Sequence, residues 1–249
     1  MCITVRIRVG REGDKIRGNR MISVLEVFYQ PGKLFEKLPE KPHSWLLPLL
    51  ADMAVLVASS AVMTKLVGLD TIMRQRLMQN SRMSPEQMQQ ALNRMASPAM
   101  AYIGYAGAAV SAILILLLLA GALAVFALMA DRKPKFATMF SMVSLAMLPY
   151  WVISLVMTTG VLLASPDRTS LDFTNLLATN VGAFVDKATA PKFLYSLMTS
   201  VDALSFVWIG FLAYGFSKIT RAGSGTGWGA VLTLWFLFVL SRALAASLF

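Results

Sequence analysis

Three ionisable side chains, Asp52, Asp202 and Arg242, stand inside long apolar runs of this 249-residue chain. A charge at the centre of hydrocarbon costs about 2.5–3.5 kcal/mol on insertion scales, so each needs a partner, an interface or a task. An intramembrane acid can mark a proton or ion pathway, and an acid and a base at one depth can neutralise each other. The remaining inventory for chemistry is thin. His43, the sole imidazole, sits beside Pro42 and Trp45 at the head of the first apolar run and reads as an interfacial anchor rather than a general base. A single cysteine, Cys2, forms neither an internal disulfide nor a zinc site. The run RAGSGTGWG lacks the Lys-Ser/Thr of a phosphate loop. No histidine lies in a span to activate its Ser224, so it reads as a flexible connector. With no HExxH and no protease-type aspartate pair, the expected sets of catalytic, cofactor-binding and metal-binding residues are empty, and the chain is read as not an enzyme.

The elements that must hold these charges follow from composition. Hydrophobic residues make up 57% and charged residues 14%, and the apolar residues lie in long blocks rather than short alternating runs. That pattern means membrane spans, not a soluble core. Five blocks are long enough at ~1.5 Å rise per residue, about 45–67, 99–129, 136–164, 193–216 and 228–249. The expected fold is an all-α integral membrane protein: a basic tail with a short amphipathic lead-in over 1–43, then a five-helix domain over 44–249. The first twenty residues are charged throughout and lack an apolar signal core, and Met21 is an alternative start. Topology, rather than nucleic acid, accounts for the net charge of +10. The segments before span one, between spans two and three, and between spans four and five carry Lys and Arg more densely than the two longer connections. This places the N-terminus in the cytoplasm and the C-terminus on the opposite face, in the inner membrane if the source is bacterial.

With direction assigned, the charges acquire depths. Asp52 lies seven residues into span one on the cytoplasmic side, within reach of Lys133, Lys135, Lys218 and Arg221. Asp202 falls ~13 Å from the outer start of span four, and Arg242 ~10 Å from the end of span five, at helical rise. These two are expected to pair. A local alternative makes Thr199 a helix N-cap with Asp202 at the third helical position, so that span four begins there. Pro149 inside span three removes a backbone hydrogen bond and kinks the helix, which is either structural or opens a cavity.

The connections carry their own signals. Ser84, Pro85 and Gln87 have capping-box spacing and open a short helix. Its Met88, Ala91, Leu92 and Met95 share one face, for packing on the span ends or at the interface, with a partner-binding groove as the alternative. The segment 165–192 holds short apolar pieces that suggest a partly inserted or folded-back cap over the outer face. Span two opens with small residues four apart, Gly104/Ala108, Gly107/Ser111 and Ala108/Ala112, suited to internal packing or self-association.

The lead-in VLEVFYQPGKLFEKLPEKPHSWLLPLL, the MLPYW of span three and the loop LATNVGAFVDKATAPKFLYSLMTSVDALSFVW together resemble the Yip family of five-span proteins, in particular its bacterial branch. The resemblance covers roughly Val24 to Phe249. It marks Phe28, Tyr29, Pro31, Phe35, Asn180 and Gly182 as interaction-surface candidates, with Asp202, Phe184 and Trp208 in matching places. It also implies a membrane scaffold, adaptor or trafficking-type organiser. Eukaryotic relatives bind prenylated Rab proteins and carry Asp-Leu-Tyr-Gly-Pro where this chain reads FYQPG. The expected partners are the lipid bilayer and a protein not specified by the sequence, with homo-oligomerisation possible and no nucleic acid. The competing reading is a small transporter or channel whose cavity is lined by Asp52, Pro149, Asp202 and Arg242.

Overall fold

The computed structural model describes residues 24–40, 45–78, 84–95, 98–173, 175–187 and 189–248. The basic opening with Cys2 and Met21, and His43, lie outside the described residues. The described part opens with two short helices, α1 (24–29) and α2 (Pro31–Lys37), and a 3-10 turn, Leu38–Glu40. There follow α3 (Leu46–Val67), α4 (Leu69–Met78), α5 (Pro85–Met95), α6 (Pro98–Met129) and α7 (Phe136–Ala164). A 3-10 turn at Val181–Phe184 precedes α8 (Lys192–Ser200), α9 (Ala203–Thr220) and α10 (Ser224–Leu248). Among the described residues, five helices, α3, α6, α7, α9 and α10, are long and apolar enough to cross a membrane.

Helix α7 is the axis of the bundle. Thr138 through Pro149 are all buried, and α3, α6 and α9 pack around them. On α6 one stripe is fully buried, Ala112, Leu116, Ala120, Leu123 and Ala127. Its three- and four-residue spacing keeps one face inward, with alanine at three of the five positions. The opposite face, with Leu114, Leu118, Val125 and Leu128, is exposed, as a lipid-facing surface requires.

The α6–α7 turn closes by backbone bonds, Arg132 N–H to Ala127 C=O at 2.8 Å and Asp131 N–H to Leu128 C=O at 3.0 Å. Asp131 adopts the left-handed conformation that this helix-end motif demands. Gly68, at φ 93°, makes the corresponding break between α3 and α4. The capping box at α5 forms as its spacing predicts. Ser84 Oγ accepts from Gln87 N–H at 3.3 Å, and Gln87 Oε1 accepts from Ser84 N–H at 3.0 Å. Leu92 is buried, Met88 and Ala91 are half-buried, and α5 packs on α4. The side chain of Met95 lies outside the described residues.

Three local expectations are corrected. Span four is not one helix over 193–216. It breaks at Val201–Asp202 into α8 and α9, because Asp202 is extended (φ −122°, ψ 131°) and pairs as a β-bridge with Asn180. The glycine run is no connector, since Ser224 to Gly227 form the first turn of α10. A Cβ on Gly227 would collide with Ala213 C=O and Ser217 Oγ, so the glycine permits α10 to cross close over α9. Of the small residues opening span two, Gly104 and Gly107 are exposed with nothing near their Cβ positions and take no part in internal packing, whereas Ala112 is fully buried in it.

Candidate functional site

The short helices at one end of the bundle are anchored by aromatic and charged groups of α9. Phe35 is fully buried and meets Tyr214 edge-on at 6.3 Å between ring centroids. Lys218 Nζ donates to Glu36 at 2.6 Å and lies 5.4 Å from the Tyr214 ring centroid. The Lys218 ammonium beside it holds the exposed Glu36 carboxyl below its ordinary range. Docked in this way, the arm turns Leu25 (61% exposed), Phe28 (45%) and Tyr29 (61%) outward. Of the candidates for an interaction surface, Phe28 and Tyr29 are therefore available and Pro31 is half-buried. Phe35 is a core residue.

Asn180 and Gly182 belong to the opposite end and are structural too. Asn180 is buried, and its Nδ2 donates to Asn175 Oδ1 at 2.6 Å. Gly182 is buried where a Cβ would strike the Thr199 methyl. Backbone bonds from Val181 N–H to Val201 C=O and from Ala203 N–H to Thr179 C=O, both 3.1 Å, tie this loop to the α8–α9 break. The segment before α8 thus does fold back as a cap. Gln75 of α4 also holds it, donating to Leu171 C=O at 2.7 Å and accepting from Phe173 N–H at 3.1 Å.

The intramembrane charges occupy separate settings. Asp52 is fully buried between α3 and α7, where Ser144 donates its hydroxyl to Oδ2, and Oδ1 has no hydrogen-bond partner among the described residues. The basic turns proposed as its neighbours do not reach it: Lys133, Lys135 and Arg221 are exposed, and Lys218 is paired with Glu36. At the other end, Asp202 is the N-cap of α9. Its Oδ1 accepts from Leu204 N–H at 2.9 Å and from Thr179 Oγ1 at 2.7 Å. Arg242 donates to Ser200 Oγ at 3.2 Å and Thr199 Oγ1 at 3.4 Å, on the last turn of α8. A guanidinium suits a helix C-terminus, where the carbonyl ends are negative. The expected Asp202–Arg242 ion pair is therefore corrected, because no salt bridge joins them among the described residues. Backbone capping and the Thr179 hydroxyl hold the carboxylate instead. Thr199 is likewise not the N-cap; Asp202 itself fills that position.

What the fold does bring together is a cleft of about 600 Å3 that holds both Asp202 and Arg242. Leu118, Leu119 and Ala122 of α6 form one wall; Leu234, Trp235 and Phe238 of α10 form the other. Met147, Tyr150 and Trp151 of α7 contribute behind them. Pro149, though inside the helix, is buried and is not among these lining residues. Asp52 does not line the cleft either. Among the described residues, no cluster of three or more His, Cys, Asp or Glu is placed to hold a metal. Thr179, Ser144 and the cleft itself escaped sequence reasoning. Thr179 lies 23 residues from Asp202 and Ser144 lies 92 from Asp52, and nothing local marks either pairing.

Residues 25–247 match the family model of the Yip1 domain. The chain belongs to the Yip1 domain family. No curated protein and no solved structure matches it. The match spans the docked arm, all five apolar helices and the folded-back loop, so the Yip1 domain here is a multi-pass membrane unit rather than a soluble module with an anchor.

Proposed function

We propose that this Yip1-domain protein acts without catalysis, as a membrane scaffold or adaptor that presents the α1–α2 arm to a protein partner on the cytoplasmic face. One observation carries the choice over transport. Asp52 is sealed at the α3–α7 contact, outside the cleft that holds Asp202 and Arg242, and each of the three charges has its own local hydrogen bonds. A solute or proton path needs polar groups converging on one continuous route. On the arm, Leu25, Phe28 and Tyr29 lie three and four residues apart, the spacing of a single helix face. Such a face, with an aromatic pair and a leucine, suits a complementary apolar groove.

The test is a photo-crosslinking residue placed at Phe28 or Tyr29 in native membranes, beside a flux assay on liposomes of the purified protein. Discrete protein adducts at these positions, lost when Leu25 is changed to Ser, are expected. Proton or solute flux that Asp52→Asn or Asp202→Asn abolishes without unfolding the protein would overturn the scaffold reading in favour of a transporter.

A further inference from the structure

The α6–α10 cleft is graded along its length. Its polar end is Arg242, Asp202, Ser205 and the hydroxyls of Thr199 and Ser200, and the rest is aliphatic and aromatic down to Val231. Arg242 and Thr199, at that polar end, also line a second cavity of about 390 Å3, which adds Lys187, Lys192 and Tyr195. The two spaces share these two lining residues, so a basic head cavity lies beside an apolar shaft. From Arg242 to Val231 the shaft runs ~16 Å at helical rise, close to the ~15 Å that one leaflet of hydrocarbon occupies. The shaft crosses the middle of α10 (Ser224–Leu248), with its polar end in the C-terminal half of the helix and its apolar end in the N-terminal half.

The charges indicate which lipid. Lys187, Lys192 and Arg242 surround the head cavity. Asp172 faces Lys187 at 3.8 Å, and the Asp202 carboxylate is held back by its bonds to Thr179 and Leu204. Arg242 is bonded to two neutral hydroxyls and has no carboxylate in salt-bridge distance among the described residues. A planar guanidinium in that state matches a phosphate, which it engages through two parallel N–H donors. The walls are open to the bilayer, since α10 packs on α8 and α9 and meets α6 only sparsely, and Leu118 and Phe238 on the rims are exposed.

We propose that this cleft is a binding site for an anionic glycerophospholipid, its phosphate on Arg242 and the second, basic cavity receiving the headgroup, with an acyl chain lying between α6 and α10. The site is independent of the scaffold role and stands or falls separately from it.

Delipidated full-length protein in detergent is titrated with phosphatidylglycerol, phosphatidylcholine or water-soluble glycerol 3-phosphate, and read by thermal shift and by native mass spectrometry. Phosphatidylglycerol is expected to stabilise the wild-type protein and to remain as a single adduct, with phosphatidylcholine weaker and glycerol phosphate without effect. Arg242→Gln removes a charge-assisted contact and is expected to weaken phosphatidylglycerol by roughly ten- to a hundred-fold. Ala122→Trp fills the shaft and abolishes the adduct while leaving every headgroup residue in place. Equal responses to the two phospholipids reduce the cleft to ordinary annular contact and overturn the proposal. Binding of glycerol phosphate as tight as that of the lipid also overturns it, because the apolar shaft then contributes nothing. These wild-type arms decide the matter even if either variant fails to fold.

Discussion

Replacing Asp202 separates two roles that a charged residue in this position can have. Its Oδ1 accepts from the Leu204 amide at 2.9 Å and from the Thr179 hydroxyl at 2.7 Å. Asp202→Ala deletes both bonds. Loss of an N-cap costs about 1 kcal/mol, and loss of a part-buried side-chain hydrogen bond about another 1 kcal/mol. At ~2–4 °C per kcal/mol for a chain of this size, the melting temperature is expected to fall by about 4–8 °C. Asp202→Asn keeps an acceptor oxygen, and Asn ranks with Asp at N-caps, so its loss should stay within ~2 °C. An ion pair with Arg242 demands equal losses instead, because Asn removes the charge as completely as Ala does. The assay is thermal unfolding of purified variants in one detergent, followed by intrinsic tryptophan fluorescence, with Thr179→Val as a third point expected near half the alanine effect. Equal losses for Asn and Ala would refute the capping assignment and restore the ion pair.

Three further outcomes follow from contacts elsewhere. Gly227→Ala forces the α9–α10 crossing apart at the backbone and is expected to destabilise by about 1–3 kcal/mol, whereas Gly229→Ala, with open space at its Cβ position, should be silent; equal melting temperatures for the two would show that the helices are not that close. Ser144→Ala strips Asp52 of its one hydrogen-bond partner among the described residues and should cost about 1–3 kcal/mol, while the double change Asp52→Leu with Ser144→Ala should recover much of that loss; strictly additive effects in the double-mutant cycle contradict a direct pairing. For Glu36, the Lys218 contact lowers the folded-state pKa below the ordinary 4.5. Its contribution is therefore present above pH 4.5 and disappears as pH falls through the lower folded value. The difference in melting temperature between wild type and Glu36→Gln should shrink across that acid window, and a difference that persists unchanged below it argues against the ion pair.

Much of this architecture was legible because the bilayer imposes a simple rule. Runs of about twenty apolar residues must become helices, since no other open chain satisfies its backbone in hydrocarbon. Span three was expected at 136–164 and is found there, and the first two spans differ by one residue at their starts. The Ser84–Gln87 cap was legible for a similar reason: its partners are three residues apart, and helical geometry alone brings them together.

Where the reading failed, the deciding partner lay far away in sequence. Apolar composition runs unbroken through Val201, yet the chain kinks there, because Asn180 and Thr179 offer backbone and side-chain bonds that an uninterrupted helix could not use. The glycines before Trp228 resemble a loop until the Ala213 carbonyl is seen to occupy the place of a side chain on Gly227. Asp202 and Arg242 were correctly brought to one place and wrongly bonded, since depth follows from helical rise but bonding depends on which neighbour is nearer. Sequence by itself thus determined that this chain carries five helices long and apolar enough to cross a membrane, with three charges within or at the ends of them, because span length and hydrophobicity are local properties. Only tertiary structure decided that Asp52 is sealed, that Phe35 is core, and that Asp202 and Arg242 share an open cleft, because burial and hydrogen-bond choice depend on packing between segments distant along the chain.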